Sequence, residues 1–182
     1  MIPAQQYRPA TMVALALSSK SACRVGGSLP PRDKPHEIDE VIGAIDGVDA
    51  AIEIVDDRSC DYTTLDVPSL IADNAWNAGL VVGDFMPTVA GPDLASCKGL
   101  VYRDEGPIDS GLGSDVLGRP ALTLLWLANH LSAQGSGLGA GDIIMTGSFV
   151  ETQFPVASHR FDFEIEGIGK VQLKVRLDPA DP

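Results

Sequence analysis

Residues 161–177 read FDFEIEGIGKVQLKVRL. Apolar side chains alternate with polar ones before and after the glycines at 167 and 169, and this period of two is typical of β-strands. The glycines mark a tight turn between the two runs. The stretch therefore predicts an antiparallel hairpin with one face in the protein interior and the other face in water.

Further strands are predicted upstream of this hairpin. The stretch VDAAIEIV, residues 48–55, is almost continuously apolar and rich in β-branched residues, which indicates a buried strand. The other predicted strands are shorter and comprise residues 80–83, residues 143–146, and a pair formed by 96–103 and 108–111 across a turn at 104–107.

Apolar residues at helical spacing predict two principal helices, residues 38–46 and 120–132, and a short helix at 70–77. Pro120 suits the first position of the second helix, and Gly135 lies just beyond its end. Apolar residues surround the axis of this helix, so we expect it to be buried, with Trp126 in the core. Many strands, few helices and no regular alternation of the two indicate a mixed, β-rich α+β domain.

The composition excludes several classes of protein. The chain has 182 residues, 45% hydrophobic and 21% charged, which is typical of one folded domain and not of a disordered or fibrous protein. Its longest apolar runs fall far short of the roughly 18 residues needed to cross a membrane. The net charge of -12 repels a nucleic-acid backbone. We therefore expect a soluble protein with no membrane and no nucleic-acid partner.

Charge is distributed unevenly along the chain. Residues 1–32 contain four basic residues and no acid, whereas residues 33–73 contain 12 acids and two bases. A basic, acid-free, serine-containing start is found in transit peptides and also fits an atypical or truncated beginning. We expect residues 1–21 to be an atypical N-terminal segment and residues 22–182 to form one catalytic domain that is incomplete at its N-terminal side.

The cysteines indicate the cellular compartment. Cys23, Cys60 and Cys97 are widely spaced and form no C-x-x-C pair. Neither a disulfide framework nor a zinc site is therefore expected. This usage is typical of a reducing, cytoplasmic environment.

One carboxylate interrupts the predicted buried strand. Glu53 lies between two isoleucines, and an unpaired charge in the interior is strongly destabilising. Two interpretations remain open: Glu53 has a metal-binding or catalytic role, or it points outward from an edge strand. The residues that follow the strand, 56–58 (DDR), are expected to form a local ion pair.

Two other short polar stretches are candidates for ligand binding. Asp73 and Asn74 either cap a helix or line a pocket. Thr146 and Ser148 flank a glycine where a strand is predicted to leave its sheet. They either form an ordinary turn or hold a small carboxylate with their hydroxyl and backbone N–H groups.

Five stretches occur in the order and spacing of one known family: AIEIVDDR (51–58), IADNA (71–75), GLGSDVLGRP (111–120), LWLAN (125–129) and LGAGDIIMTGS (138–148). In these motifs the chain resembles the 2-keto-4-pentenoate hydratases of the fumarylacetoacetate hydrolase-like superfamily. That superfamily also contains 2-oxo-3-hexenedioate decarboxylases and acylpyruvate hydrolases. The resemblance extends from about residue 22 to the end of the chain.

The resemblance implies a mixed β-roll or sandwich of the fumarylacetoacetate hydrolase C-terminal type. It further implies a cytoplasmic, Mg²⁺- or Mn²⁺-dependent hydro-lyase of aromatic catabolism. Such an enzyme hydrates 2-hydroxypenta-2,4-dienoate, a small 2-hydroxy dienoic acid, to 4-hydroxy-2-oxopentanoate, with the metal stabilising enolate charge. Glu53 matches one family metal ligand, and Thr146, Ser148, Asp73 and Asn74 are expected at the substrate.

The chain departs from the family at the other two metal ligands. The family takes them from a Glu-x-Glu sequence, and Ser18 and Lys20 stand at these positions when residues 22–26 (ACRVG) are aligned with the stretch that follows it. One carboxylate beside an ammonium implies weak Mg²⁺ or Mn²⁺ binding. In the family, the acid and base residues come from an upstream region without a counterpart here, so the catalytic residues stay unassigned.

These departures leave alternatives to the hydratase open. The chain is a non-catalytic, truncated paralogue or an oligomerising subunit, or it acts as a decarboxylase or acylpyruvate hydrolase on a related 2-oxo acid. Loss of sequence that packs on the fold would uncover strand edges and apolar surface. We therefore expect the chain to form homo-oligomers.

Overall fold

The computed structural model describes residues 5–7, 15–88, 93–116 and 118–177. The strands are β1 (Gln5–Tyr7), β2 (Leu15–Val25), β3 (Ile45–Asp56), β4 (Asn77–Val82), β5 (Met86–Pro87), β6 (Lys98–Arg103), β7 (Gly106–Leu112), β8 (Ile143–Ser148), β9 (Arg160–Ile165) and β10 (Gly169–Val175). The helices are α1 (Ile38–Ala44), α2 (Val67–Ala72) and α3 (Pro120–Ala133). None of these described helices combines the length and the apolar character needed to cross a membrane.

Within the described residues, the strands form two sheets. One sheet has the order β1-β10-β9-β6-β7, and the other has the order β4-β3-β2-β8, with β5 also paired to β3. Neighbouring strands are antiparallel, except that β1 runs parallel to β10. The predicted β-rich α+β class is confirmed. The long strands β2 and β3 form the centre of the second sheet.

The predicted C-terminal hairpin is formed by β9 and β10, with Phe163 opposite Val171. Phe163 and Leu173 are completely buried. The polar face of the hairpin is less exposed to solvent than the alternation predicts, because Asp162 is also buried. Its carboxylate accepts a hydrogen bond from Gln172 at 2.8 Å and pairs with Lys170 at 3.1 Å, so long side chains from β10 cover it.

Helix α3 begins at Pro120, as predicted, but only one side of it is buried. Leu124 and Ala128 pack into the core, whereas Leu122 and Trp126 are 43% and 63% exposed. The predictions of a fully buried helix and a core Trp126 are therefore wrong. Helix α1 and strand β8 pack against α3 on its inner side, and the Trp126 ring instead stacks on the exposed His130 ring at a centroid distance of 4.8 Å.

The two shorter helices differ from the predictions in their limits. Helix α1 ends at Ala44 because β3 begins at the next residue. Helix α2 begins at Val67 because the Asp66 carboxylate caps it, accepting a hydrogen bond from the Ser69 N–H at 2.8 Å. It ends before residues 74–76, which have positive φ angles of 47–61° and cannot continue a right-handed helix.

Strands β6 and β7 carry a glycine pair, Gly99 opposite Gly111, where Phe149 packs on them. A Cβ at Gly111 would lie 1.9 Å from the Phe149 carbonyl oxygen, and one at Gly99 would lie 2.7 Å from the Phe149 ring. The Phe149 ring is buried and meets Phe163 edge to face at a centroid distance of 5.8 Å. The two glycines therefore allow the chain that leaves β8 to lie directly on the first sheet.

Strand β3 contains a further acid, Asp49, which is more deeply buried than Glu53. Asp49 is 2% exposed, and its carboxyl group accepts hydrogen bonds from the N–H of Gly83 at 2.6 Å and of Ala50 at 2.8 Å. Gly169 in β10 makes room for it, because a Cβ there would lie 2.6 Å from Asp49 Oδ1. Burial raises the pKa of Asp49 to about 6, although the two hydrogen bonds oppose this effect.

We expect Gly111→Ala to lower the free energy of unfolding by about 1–3 kcal/mol, because the Phe149 backbone must move to admit the methyl group. Urea denaturation measures this change. The control is Gly43→Ala in α1, where an added Cβ meets no atom within 4 Å. This control should be neutral or should stabilise the protein by up to about 1 kcal/mol. Native stability in Gly111→Ala would contradict the described packing.

Asp49 should also make stability depend on pH. Because its folded-state pKa of about 6 exceeds the ordinary value of 3.8, the folded protein holds a proton in this interval that the unfolded chain releases. The Asp49 contribution is therefore greatest below this interval and is lost as the pH rises through about 6. From about pH 4 to pH 7, the unfolding free energy of the native protein minus that of Asp49→Asn should fall by up to about 3 kcal/mol. A difference that stays constant with pH would contradict this expectation.

Candidate functional site

A cavity of about 460 Å³ lies beside β2, β3 and β8. Its polar lining residues are Lys20, Glu53, Asp142 and Thr146. Its apolar lining residues are Leu127, Leu138, Ile143, Ile144 and Met145. A pocket that mixes a few polar groups with apolar side chains suits a small organic molecule with one charged end.

The register of the second sheet places the polar side chains of this site together. Ser18 lies opposite Glu53 across β2 and β3, and Lys20, two residues after Ser18, shares its face of the strand. Lys20 also lies opposite Ser148 of β8, next to a register shift. Because β3 lies between β2 and β4, the alternative that Glu53 points outward from an edge strand is wrong.

Glu53 is held by two donors. Lys20 Nζ lies 3.4 Å from Glu53 Oε2, and Asn77 Nδ2 donates a hydrogen bond to Glu53 Oε1 at 2.8 Å. The side chains of Lys20 and Glu53 are each only 16% exposed. Each carboxylate oxygen therefore has a protein partner, and the charge that the sequence places in a buried strand is neutralised by an ammonium from the neighbouring strand.

Two serines extend this network. Lys20 Nζ donates a hydrogen bond to Ser148 Oγ at 3.2 Å, and Ser148 Oγ is 2.6 Å from Ser18 Oγ. Ser18 is buried, and Ser148 is partly buried. Ser18, Lys20, Glu53, Asn77 and Ser148 thus form one connected polar cluster, which we call the Lys20–Glu53 cluster.

Thr146 lines the cavity but lies beside the cluster. Its hydroxyl is buried and shares a 2.7 Å hydrogen bond with the Ser21 hydroxyl. A hydroxyl group has one hydrogen to donate and two lone pairs. Thr146 therefore keeps some hydrogen-bonding capacity for a ligand, but Ser21 fixes its direction.

Asp73 and Asn74 do not line the cavity. Asp73 forms an ion pair with Arg58, so the expected local pair within residues 56–58 is wrong. The Asp57 carboxylate instead accepts a hydrogen bond from the Tyr62 hydroxyl at 2.6 Å. Asn74 starts the left-handed turn that leads to β4, whose first residue is Asn77. These residues therefore shape the approach of Asn77 to Glu53 and lie outside the cavity itself.

Sequence reasoning did not find Asn77, Ser21 or Asp142. Asn77 reaches Glu53 only through the antiparallel pairing of β3 and β4, which shifts register beside it. Ser21 meets Thr146 across 125 residues of sequence. Local sequence patterns do not predict contacts between residues so far apart in the chain. The predicted helix 70–77 even placed Asn77 at a helix end, whereas the structure places it at the start of β4.

The donor set does not fit the divalent cation that the family resemblance implies. Mg²⁺ and Mn²⁺ prefer several oxygen ligands that carry negative charge. Among the described residues, no three His, Cys, Asp or Glu side chains lie together in an arrangement that could hold a metal ion. A dication about 4 Å from the Lys20 ammonium would be repelled by roughly 8 kcal/mol at an effective dielectric constant of 20. The expectation of weak metal binding therefore has a specific cause in the position of Lys20.

The chain is similar in sequence to known hydratases. It is 36% identical over 136 residues to 2-hydroxyhexa-2,4-dienoate hydratase of Comamonas testosteroni, covering 75% of this chain and 51% of that one. It is 31% identical over 150 residues to 2-keto-4-pentenoate hydratase of Paraburkholderia xenovorans (strain LB400), covering 82% and 55%. The chain thus spans about half the length of these curated relatives.

The fold is similar to that of a solved enzyme structure. It matches 4-oxalocrotonate decarboxylase from Pseudomonas putida G7, a structure complexed with magnesium and adipate. The TM-score is 0.79 at 24% identity, over 89% of this chain and 60% of that one. The predicted fold type is therefore confirmed.

A family model described as fumarylacetoacetate (FAA) hydrolase C-terminal matches residues 22–176. This range contains Lys20's partner Glu53, the cavity residues of β8 and α3, and the C-terminal hairpin. The match covers most of the chain and agrees with the sheet order and with the hydratase relatives. The chain belongs to the fumarylacetoacetate hydrolase family.

Proposed function

We propose that the protein is a hydro-lyase that converts 2-hydroxypenta-2,4-dienoate to 4-hydroxy-2-oxopentanoate. The hydratase relatives, at 36% and 31% identity, support this reaction. The observation that carries it is the composition of the cavity, in which Lys20 is the one cationic residue among the described lining residues. One ammonium at the polar end of the cavity, next to a wall of apolar side chains, matches a monocarboxylate with a short hydrocarbon chain.

The substrate binds with its charged end at the Lys20–Glu53 cluster. The Lys20 ammonium, which Ser148 helps to position, holds the carboxylate and the 2-oxygen, and Thr146 contributes a hydroxyl at the cavity wall. The diene lies against Leu127, Leu138 and Ile144. The ammonium favours negative charge on the 2-oxygen as the diene is protonated.

The atoms of the reaction balance with one water molecule. The hydroxyl group of water is added to carbon 4 of the substrate. Carbons 3 and 5 each gain a proton, one from the 2-hydroxyl group and one from water. The apolar wall limits the access of further water to the diene, and the polar end fixes which end of the molecule enters first.

Decarboxylation of a 2-oxo diacid is the second candidate, because the matched solved structure is a 4-oxalocrotonate decarboxylase. A diacid needs a second cationic group for its distal carboxylate. Besides the Lys20–Glu53 pair, the charged residue of the described cavity lining is Asp142, whose carboxylate would repel it. The charges of the cavity therefore favour the monocarboxylate and the hydratase reaction.

We also propose that the protein forms homo-oligomers in the cytoplasm. The exposed Leu122 and Trp126 give α3 an apolar outer surface that a second copy can cover. Cys23, Cys60 and Cys97 are all free thiols, as expected in a reducing compartment. A stable monomer in sedimentation velocity would contradict the proposed self-association.

The reaction is tested by incubating the chain with 2-hydroxypenta-2,4-dienoate, following the loss of diene absorbance and identifying the product by NMR. We expect 4-hydroxy-2-oxopentanoate. Lys20→Met should lower kcat/KM by about 100-fold or more, because it removes the charge that stabilises the 2-oxygen. The matched control is Arg24→Met on the same strand, since Arg24 pairs with Asp46 and does not line the cavity.

Two results would contradict the proposed reaction, and a third would contradict the role of Lys20. Release of CO₂ from 2-oxo-3-hexenedioate without hydration of the dienoate would favour the decarboxylase. Binding of the dienoate without turnover would favour the non-catalytic alternative. Equal loss of activity in Lys20→Met and Arg24→Met would show that charge on β2 acts through stability and not through the substrate.

A further inference from the structure

We propose that the Lys20 ammonium is a built-in cation that takes the place of a divalent metal, so that the cavity binds 2-oxo carboxylates without one. This inference deepens the proposed function and rests on it for the class of ligand. The contacts of Lys20 and Glu53 carry it, and the family's Glu-x-Glu sequence supplies the comparison with a metal site. It also explains why the donor set of the site disagrees with a metal.

The contacts of Lys20 leave room for a ligand. A lysine ammonium has three N–H donors. Among the described residues, its acceptors are Glu53 Oε2 at 3.4 Å and Ser148 Oγ at 3.2 Å. The third donor is available to an anion in the cavity that Lys20 lines. An ammonium with two protein partners and one open position can bind a carboxylate or a 2-oxo oxygen directly.

The position of Lys20 is fixed more firmly than that of a surface lysine. It stands on β2 at the centre of its sheet, paired with β3 on one side and with β8 on the other. Its side chain is 16% exposed. Because the strand and both partners hold it in place, little side-chain entropy is lost when a ligand binds.

Glu53 has a positioning role in this arrangement. Its Oε2 forms an ion pair with Lys20, and its Oε1 accepts a hydrogen bond from Asn77. Its charge stabilises the ammonium inside the cavity when no ligand is present, because an unpaired buried charge is costly. It therefore orients Lys20, and the ligand contacts the ammonium that lines the cavity.

The replacement of the family's two glutamates by Ser18 and Lys20 also compensates for the charge of the metal ion that those glutamates bind. Ser18 and Lys20 in place of two glutamates make the site three units more positive, and the loss of a dication makes it two units more negative. The ion pair that results is neutral. A dication surrounded by three carboxylates has a net charge of one negative unit. The neutral Lys20–Glu53 pair is therefore at least as favourable to an anionic ligand as such a metal site.

Calorimetric titration tests the inference with two probes, pyruvate and Mg²⁺, each added to the full chain. Pyruvate is the simplest 2-oxo carboxylate, and it is titrated in the presence of EDTA. We expect pyruvate to bind, and Lys20→Met to weaken this binding at least tenfold, while Arg24→Met leaves it unchanged. The double variant Lys20→Met/Glu53→Gln removes both charges, leaves no unpaired carboxylate, and should also fail to bind pyruvate.

A gain-of-function variant tests the same inference from the other side. Ser18→Glu/Lys20→Glu places two carboxylates beside Glu53 on one face of the sheet and should bind Mg²⁺ at least tenfold more tightly than the native chain. Arg24→Glu puts a carboxylate on the same strand outside the cavity and should not. If Ser18→Glu/Lys20→Glu does not fold, Mg²⁺ titration of the native chain and of Glu53→Ala replaces it. Mg²⁺ binding by the native chain that is lost in Glu53→Ala overturns the inference.

The outcomes separate this inference from the proposed reaction. Lys20-dependent binding of pyruvate in EDTA supports the built-in cation, whether or not the dienoate is hydrated. Hydration of the dienoate that requires Mg²⁺ overturns the built-in cation and leaves the hydratase proposal standing. Failure of pyruvate to bind in EDTA also overturns it. Pyruvate binding with no turnover of the dienoate contradicts the reaction alone.

Discussion

The Lys20–Glu53 ion pair is the contact on which the site depends. Glu53 stands in the central strand of a sheet, where an unpaired carboxylate would strongly destabilise the fold, and Lys20 on the adjacent strand neutralises it at 3.4 Å. Asn77 holds the second carboxylate oxygen, and Ser148 holds the ammonium. This ion pair makes Glu53 compatible with a buried strand. It also occupies the carboxylate that a divalent cation would need as a ligand.

Much of the scaffold around this pair is local in origin and could be predicted. The alternation in residues 161–177 specifies the β9–β10 hairpin, and the apolar run before Glu53 specifies β3. Pro120 fixes the start of α3. These features depend on side-chain period and backbone restriction, which a sequence displays directly. The failure at Trp126 has the opposite cause, because exposure is set by what packs on a helix and not by its own residues.

The site was less accessible to sequence reasoning because its contacts cross the sheet. The spacing of Glu53, Thr146 and Ser148 does not show that they approach one cavity, and the family resemblance suggested their grouping. The partners of Glu53 come from β2 and β4, and their meeting depends on strand register. Asp73 illustrates the limit: its sequence neighbours suggested a pocket, but its carboxylate pairs with Arg58 outside the cavity.

The central claim is that an ammonium, and not a divalent cation, receives the ligand in this member of the fumarylacetoacetate hydrolase family. A crystal structure of the chain soaked with pyruvate in excess Mg²⁺ tests it most directly. The predicted result is a pyruvate carboxylate within hydrogen-bonding distance of Lys20 Nζ, with the Lys20–Glu53 contact intact. A Mg²⁺ ion coordinated by Glu53, with Lys20 turned away and pyruvate bound to the metal, would contradict it.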